Sequence, residues 1–114
     1  MQDSLQLAKN IAKKLDDKKG KDIVLLKVKD ITLIADYFVI VTGTSTTHIQ
    51  SLAENLISSL KEEDDFSPLH KEGLAEGNWI LLDYDSVLVH IFLEDTREFY
   101  NLERLWGEAE EITL

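Results

Sequence analysis

Two aspartates, Asp83 and Asp85, stand close together in the second half of the chain, and carboxylates at such spacing can bind a metal ion. With the segment 43–45 (Gly-Thr-Ser) ahead of a predicted helix, they could form a metal-dependent nucleotidyltransferase site. Such a site needs facing carboxylates for the metal and basic or backbone donors for the triphosphate. The pair instead falls at a predicted hairpin turn, where aspartate is common for backbone reasons, and residues 43–45 suit a turn and helix cap. The enzyme using Asp83 and Asp85 is therefore the alternative, and the prediction is a protein without catalytic residues.

Other groups that could bind a metal or act as nucleophiles are sparse. His48, His70 and His90 are isolated from one another, and none has a second ligand at helix or strand spacing. The chain has no cysteine, which excludes disulfides, thiolate metal sites and a cysteine nucleophile. We predict no metal site, no cofactor and no small-molecule substrate. For His90, which lies among apolar residues, a hydrogen-bonded core histidine and an interface contact both remain open.

The charge is distributed unevenly along the 114 residues, whose net charge is −10. Residues 1–35 carry eight lysines against five aspartates, whereas residues 36–114 carry four basic residues against seventeen acidic ones. Binding to a phosphate backbone requires lysine and arginine, so the larger, acidic part is poorly suited to direct RNA contact. A basic protein partner fits it better. No apolar run approaches the roughly 20 residues that span a bilayer, and the start does not resemble a signal peptide, so the expected location is cytoplasmic, without membrane association.

The first half of the chain predicts two helices and two strands. Asp3 and Gln6 have the spacing of a capping box at the start of an amphipathic helix, and Gly20 suits its end. Residues 23–28 and 37–43 are strand-like, and the second run is apolar almost throughout, which predicts a central strand covered on both faces. A second helix is predicted from Thr44 to near Lys61, with Thr47 and Gln50 as its capping box.

The second half predicts a hairpin followed by a short helix. Residues 66–78 contain Pro68 and several glycines and are predicted to form a loop. Strand-like runs at 79–84 and 86–93 flank the Asp85 region and predict a β-hairpin. A short helix at 95–102 and an acidic tail at 103–114 complete the chain. The predicted architecture is one α/β (α+β) domain over residues 1–114, with a mixed β-sheet flanked by helices.

Three separated segments resemble the Iojap/RsfS family of ribosomal silencing factors. They are DITLIADYFVIVTGTS at 30–45, EG-x-WILLDY-x-x-VLVHIF at 76–92 and REFYNLERLW at 97–106. The resemblance implies a mixed sheet with a nucleotidyltransferase-like fold but no such activity, and a homodimer. It also implies docking on the large ribosomal subunit through the ribosomal protein numbered fourteen in the large-subunit series, which blocks joining of the small subunit and represses translation.

The docking surface is predicted on the side of the hairpin that faces away from the core and on the adjoining short helix. Aliphatic residues alternate along the hairpin with polar and aromatic ones, and aromatic residues with a few charges are typical of interface hot spots. The predicted partner-binding residues match the EG-x-W, LLDY, VHIF and RE-x-Y motifs of the family. They are Trp79, Asp83, Tyr84, His90, Phe92, Arg97 and Tyr100.

Overall fold

A computed structural model describes residues 3–114 as a mixed β-sheet with helices on both faces, as predicted. The elements follow one another as α1 (Ser4–Asp17), β1 (Lys21–Lys27), β2 (Tyr37–Gly43), α2 (Thr46–Asp64), β3 (His70–Glu72), β4 (Trp79–Asp83), β5 (Val87–Leu93), α3 (Glu94–Tyr100), α4 (Leu102–Leu105) and β6 (Glu110–Ile112).

The sheet has six strands in the order β3-β4-β5-β2-β1-β6. Strand β2 lies in the middle and pairs in parallel with β5, whereas the other neighbouring strands pair in antiparallel fashion. All seven residues of β2 are buried, which confirms the prediction of a central strand. A parallel pair requires a crossover, and α2 supplies it between β2 and the hairpin of β4 and β5.

One face of the sheet packs against α1 and α2. Helix α1 buries one stripe of small and aliphatic residues, as its 3.6-residue periodicity predicts. Its predicted cap is also present, since the Asp3 carboxylate accepts a hydrogen bond from the Gln6 backbone amide at 2.8 Å. Every second residue of β4 and β5 points into this layer, which is the main core. These strand residues are Ile80, Leu82, Val87, Val89 and Ile91.

The opposite face of the sheet is covered by α3, α4 and the segment that follows them. Phe38 and Phe92 are buried here together with Leu102 of α4. The Trp106 ring contacts the Phe38 ring edge-on, with centroids 5.1 Å apart. The aromatic residues of this face are therefore covered by the chain itself, and Leu81 and Leu88 stay half-buried beside them.

Helix α2 differs from its prediction at both ends. Its cap is Ser45, whose hydroxyl accepts a hydrogen bond from the His48 amide at 3.1 Å. This confirms the interpretation of residues 43–45 as a turn and helix cap, whereas the capping box of Thr47 and Gln50 is wrong. Gln50 instead donates to the carbonyl of Leu74. The helix continues past Lys61 to Asp64, because lysines neutralise the acidic end: Lys14 contacts Glu63 and Lys61 contacts Asp65, each at 2.7 Å.

Three short elements were not predicted. The predicted loop at 66–78 contains β3, and the predicted acidic tail contains α4 and β6. Helix α3 ends at Tyr100 because Asn101 adopts a left-handed conformation, with φ 46°, and its side chain caps α4. Strands of three residues carry too little periodicity to be recognised, and both β3 and β6 exist through pairing with a longer neighbour.

Candidate docking surface

The predicted docking residues lie on two different faces of the sheet. Trp79 and Asp83 of β4 point away from α1 and α2, whereas Tyr84, one residue beyond the strand, points into the main core. Tyr84 is only 1% exposed and packs against the Phe66 ring at 5.3 Å, and burial raises the pKa of Tyr84 to about 12. Strand alternation thus places Tyr84 among core residues, away from the surface that a partner could reach.

Trp79 is the centre of an aromatic cluster on the outer face. Its ring lies 4.9 Å from that of Phe92 and 4.7 Å from that of Tyr100. The indole N–H donates to Nδ1 of His90 at 3.2 Å. Trp79 is half-buried and Tyr100 is 50% exposed, so both can reach a partner while also holding α3 against the sheet.

His90 and Phe92 are on the predicted face but are not accessible. Their relative exposures are 6% and 0%, because α3 and α4 fold back over them. Since Nδ1 of His90 accepts from Trp79, the neutral ring carries its proton on Nε2, which is buried and has no hydrogen-bond partner among residues 3–114. Neither side chain is therefore accessible to a partner while α3 and α4 cover it, and the structure places His90 as a core histidine.

Arg97 is a bridge between three elements. Its Nη1 donates to the hydroxyl of Thr42 on β2 at 2.8 Å, and its Nε and Nη2 donate to the carboxylate of Glu103 on α4. The Arg97 side chain is 11% exposed. Because residues of its own chain accept hydrogen bonds from both edges of the guanidinium, few donors remain for a partner protein. This geometry assigns Arg97 to holding α3 and α4 on the sheet.

Asp83 keeps a turn in place. Its Oδ1 accepts a hydrogen bond from the Asp85 amide at 2.8 Å, and Asp85 has a left-handed φ of 69°. Both observations fit the turn function of these aspartates. Within residues 3–114, no group of three or more His, Cys, Asp or Glu side chains is arranged to hold a metal ion. No helix in the same range is long and apolar enough to cross a membrane.

Two exposed side chains beside Tyr100 were missed. Phe99 is 81% exposed and Leu105 is 73% exposed. Helical geometry gives the signal that could have found Phe99: it lies two residues after Arg97, about 200° around the helix and thus away from the sheet. The accessible part of this face therefore consists of Trp79, Asp83 and Tyr100, together with Phe99 and Leu105.

Replacing Arg97 should loosen α3 and α4. We expect Arg97→Met to lower the free energy of unfolding by about 2 kcal/mol, because it removes charge-assisted hydrogen bonds from a mostly buried group. Hydrogen exchange should speed up most at the amides of residues 94–106. Arg104→Met, at an exposed arginine of the same helix pair, is the matched control. Equal exchange in the two variants would contradict the bridging role.

His90 should make the protein acid-sensitive. Burial lowers the pKa of His90 from 6.5 to about 4, so between these values the unfolded chain binds more protons and stability falls as the pH drops. This shift in pKa corresponds to a decrease of about 3 kcal/mol in the free energy of unfolding, and the decrease is complete near pH 4. In urea unfolding at neutral pH and at about pH 4.5, His90→Phe should lose correspondingly less stability than the parent. His70→Gln, at an exposed histidine, should behave as the parent does; an unchanged pH dependence in His90→Phe would refute a neutral buried ring.

Comparison with known proteins agrees with the sequence motifs. The chain is 41% identical to Ribosomal silencing factor RsfS of Halalkalibacterium halodurans, over 99% of this chain and 93% of that protein. It is 33% identical to the mouse protein named Mitochondrial assembly of ribosomal large subunit protein 1, over 81% of this chain and 41% of that protein. A crystal structure of a Chromobacterium violaceum protein matches the fold with a TM-score of 0.88 at 32% identity, covering 93% of this chain and 88% of that one.

The family model described as ribosomal silencing factor during starvation matches residues 1–114, the whole of the sequence. Motifs, fold and relatives agree, and the chain belongs to the ribosomal silencing factor (RsfS) family.

Proposed function

We propose that this protein silences ribosomes by docking on the large subunit, through a basic ribosomal protein of the subunit-joining face, the one numbered fourteen in the large-subunit series. Membership of the silencing-factor family supports the ribosome as the target. The name of the mouse relative, which refers to assembly of the large subunit, supports the choice of subunit. The protein acts in this proposal by binding, in the cytoplasm, and without a cofactor.

One observation carries the proposal at the level of the molecule. The outer face presents Trp79, Tyr100 and Phe99 together, in a part of the chain that is strongly acidic. Aromatic anchors surrounded by charge are typical of protein interfaces. Acidic groups repel a phosphate backbone and attract a basic protein surface, so the partner is a protein, with little direct RNA contact.

Silencing would follow from steric exclusion. The protein measures 34 × 34 × 24 Å along its principal axes. A protein of this thickness bound to the joining face would keep the small subunit far beyond van der Waals contact with that face. Translation would be repressed because the two subunits could not join while the factor was bound, which requires no chemical reaction.

Docking should be specific for the large subunit and should depend on Tyr100. We expect the protein to sediment with purified large subunits but not with small subunits, and to reduce the formation of joined ribosomes. Tyr100→Ala should weaken binding by about 2 kcal/mol if the residue is a hot spot, with an unchanged circular dichroism spectrum. Leu114→Ala, at an apolar residue that is 60% exposed elsewhere, is the control. Sedimentation with the small subunit, or with neither, would refute the proposed function.

We also propose that the protein forms a homodimer. The apolar sheet face is covered by the chain's own α3 and α4, so it does not drive self-association. The exposed apolar residues at 31, 33 and 34, between β1 and β2, are a better candidate: Ile31 is 44%, Leu33 103% and Ile34 58% exposed. Light scattering at tens of micromolar should detect a dimer, and Leu33→Ser should shift it toward the monomer. A strict monomer for the parent protein would refute this proposal.

A further inference from the structure

A shallow hollow lies between α3 and α4, at the sharp turn made by Asn101. It has a volume of about 520 Å³. Phe99 and Tyr100 form one side, with their rings edge-on at 5.0 Å, and Leu105 lies on the α4 side. Charged groups complete the lining, which consists of Glu98, Phe99, Tyr100, Asn101, Arg104 and Leu105.

The walls of the hollow are held rigidly although its lining is exposed. The left-handed Asn101 sets the angle between the helices, and its side chain accepts a hydrogen bond from the Arg104 amide at 3.3 Å. Beneath the hollow, Leu102 is buried and the ion pair of Arg97 with Glu103 ties both helices to the sheet. A preformed surface loses little conformational freedom on binding, which favours affinity.

Phe99 and Leu105 contribute almost nothing to the fold. They are 81% and 73% exposed, and neither is part of the two apolar cores. Two large apolar side chains on adjacent elements, next to the half-exposed Tyr100, form a patch of the kind that marks a binding surface. Tyr100 connects this patch to the aromatic cluster around Trp79, so the hollow adjoins that cluster.

We propose that this hollow receives a lysine or arginine side chain from the basic protein on which the chain docks. The methylene stem of such a side chain would lie on Phe99 and Leu105, and its charge would lie near an aromatic face and the Glu98 carboxylate. This inference rests on the proposed function, and it names the residues that would select a basic partner over other protein surfaces.

The charges around the hollow favour this occupant over two others. Glu94, Asp95 and Glu98 of α3 are all exposed. A symmetric contact with a second copy would place these carboxylates opposite one another, and like charges across an interface are unfavourable. An RNA backbone would meet the same repulsion. Within the lining itself Glu98 and Arg104 balance one another, and the acidic character comes from Glu94 and Asp95 on the same helix.

The apolar part of the proposal is tested with Phe99→Ser and Leu105→Ser, singly and together. The probe is purified bacterial large ribosomal subunits, and the readout is the dissociation constant from sedimentation. The double variant should bind on the order of tenfold more weakly or worse, with unchanged circular dichroism and melting temperature. Leu114→Ser, at another exposed leucine, should bind as the parent does. If the parent binds and the double variant binds equally well, this inference alone is wrong; if the parent does not bind, the proposed function fails with it.

The charged part is tested at Glu98, with Glu62→Lys as the control at an exposed acidic residue of α2. For a basic occupant, Glu98→Gln should weaken binding to the same subunits and Glu98→Lys should weaken it further, while Glu62→Lys has a smaller effect. Tighter binding by Glu98→Lys would instead identify an RNA phosphate as the occupant and overturn the proposal. Loss of self-association in the Phe99→Ser and Leu105→Ser double variant, measured by light scattering, would identify a second copy and would also overturn it.

Discussion

The fold depends on the need to cover β2 on both faces. All seven residues of this strand are buried, and its run of apolar residues leaves no side that could face water at low cost. Two helices cover one face, which is the usual arrangement for a strand of a parallel pair. The other face must be covered as well, and Leu102, Trp106 and Ala109 cover it together with Val28 and Ala35. The position of α3 and α4 follows from this constraint.

Covering the second face also creates the accessible surface. When α3 folds back over His90 and Phe92, it removes these residues from solvent and brings Phe99 and Tyr100 to the outside. Arg97 makes this arrangement rigid by joining α3 to α4 and to β2. The exposed aromatic residues are therefore held by the same contacts that complete the core.

Much of the fold could be predicted from the sequence, because the longer elements carry strong periodic patterns. The α1 stripe, the central β2 and the β4–β5 hairpin were all identified in this way. Two caps for α2 remain open from the sequence, because Ser45 and Thr47 both have suitable side chains, and only the backbone decides between them. Strand β6 could not be predicted because it is held by pairing with β1, which is distant in sequence. Strand β3 pairs with the neighbouring β4, but its three residues are too few to show a period.

The docking residues could be predicted only in part. Family motifs and strand alternation placed Trp79, Asp83 and Tyr100 where a partner can reach them, but they could not show that α3 would cover His90 and Phe92. Tyr84 was assigned to the docking surface from the LLDY motif, although alternation with Ile80 and Leu82 places it on the core face. Whether a side chain is buried depends on tertiary packing, which a pattern along one strand does not contain.

The pairing of β6 with β1 has a consequence for synthesis. The outer edge of β1 at residues 25–27 is covered only by residues 110–112, which a ribosome adds long after it has made β1. Throughout that interval the nascent chain presents an open strand edge, a surface that can pair with another chain. The bulge at Asp22, with its left-handed φ of 51°, distorts the neighbouring part of this edge and limits such pairing. Closure of the sheet at this edge thus depends on a segment that is translated more than 80 residues after β1.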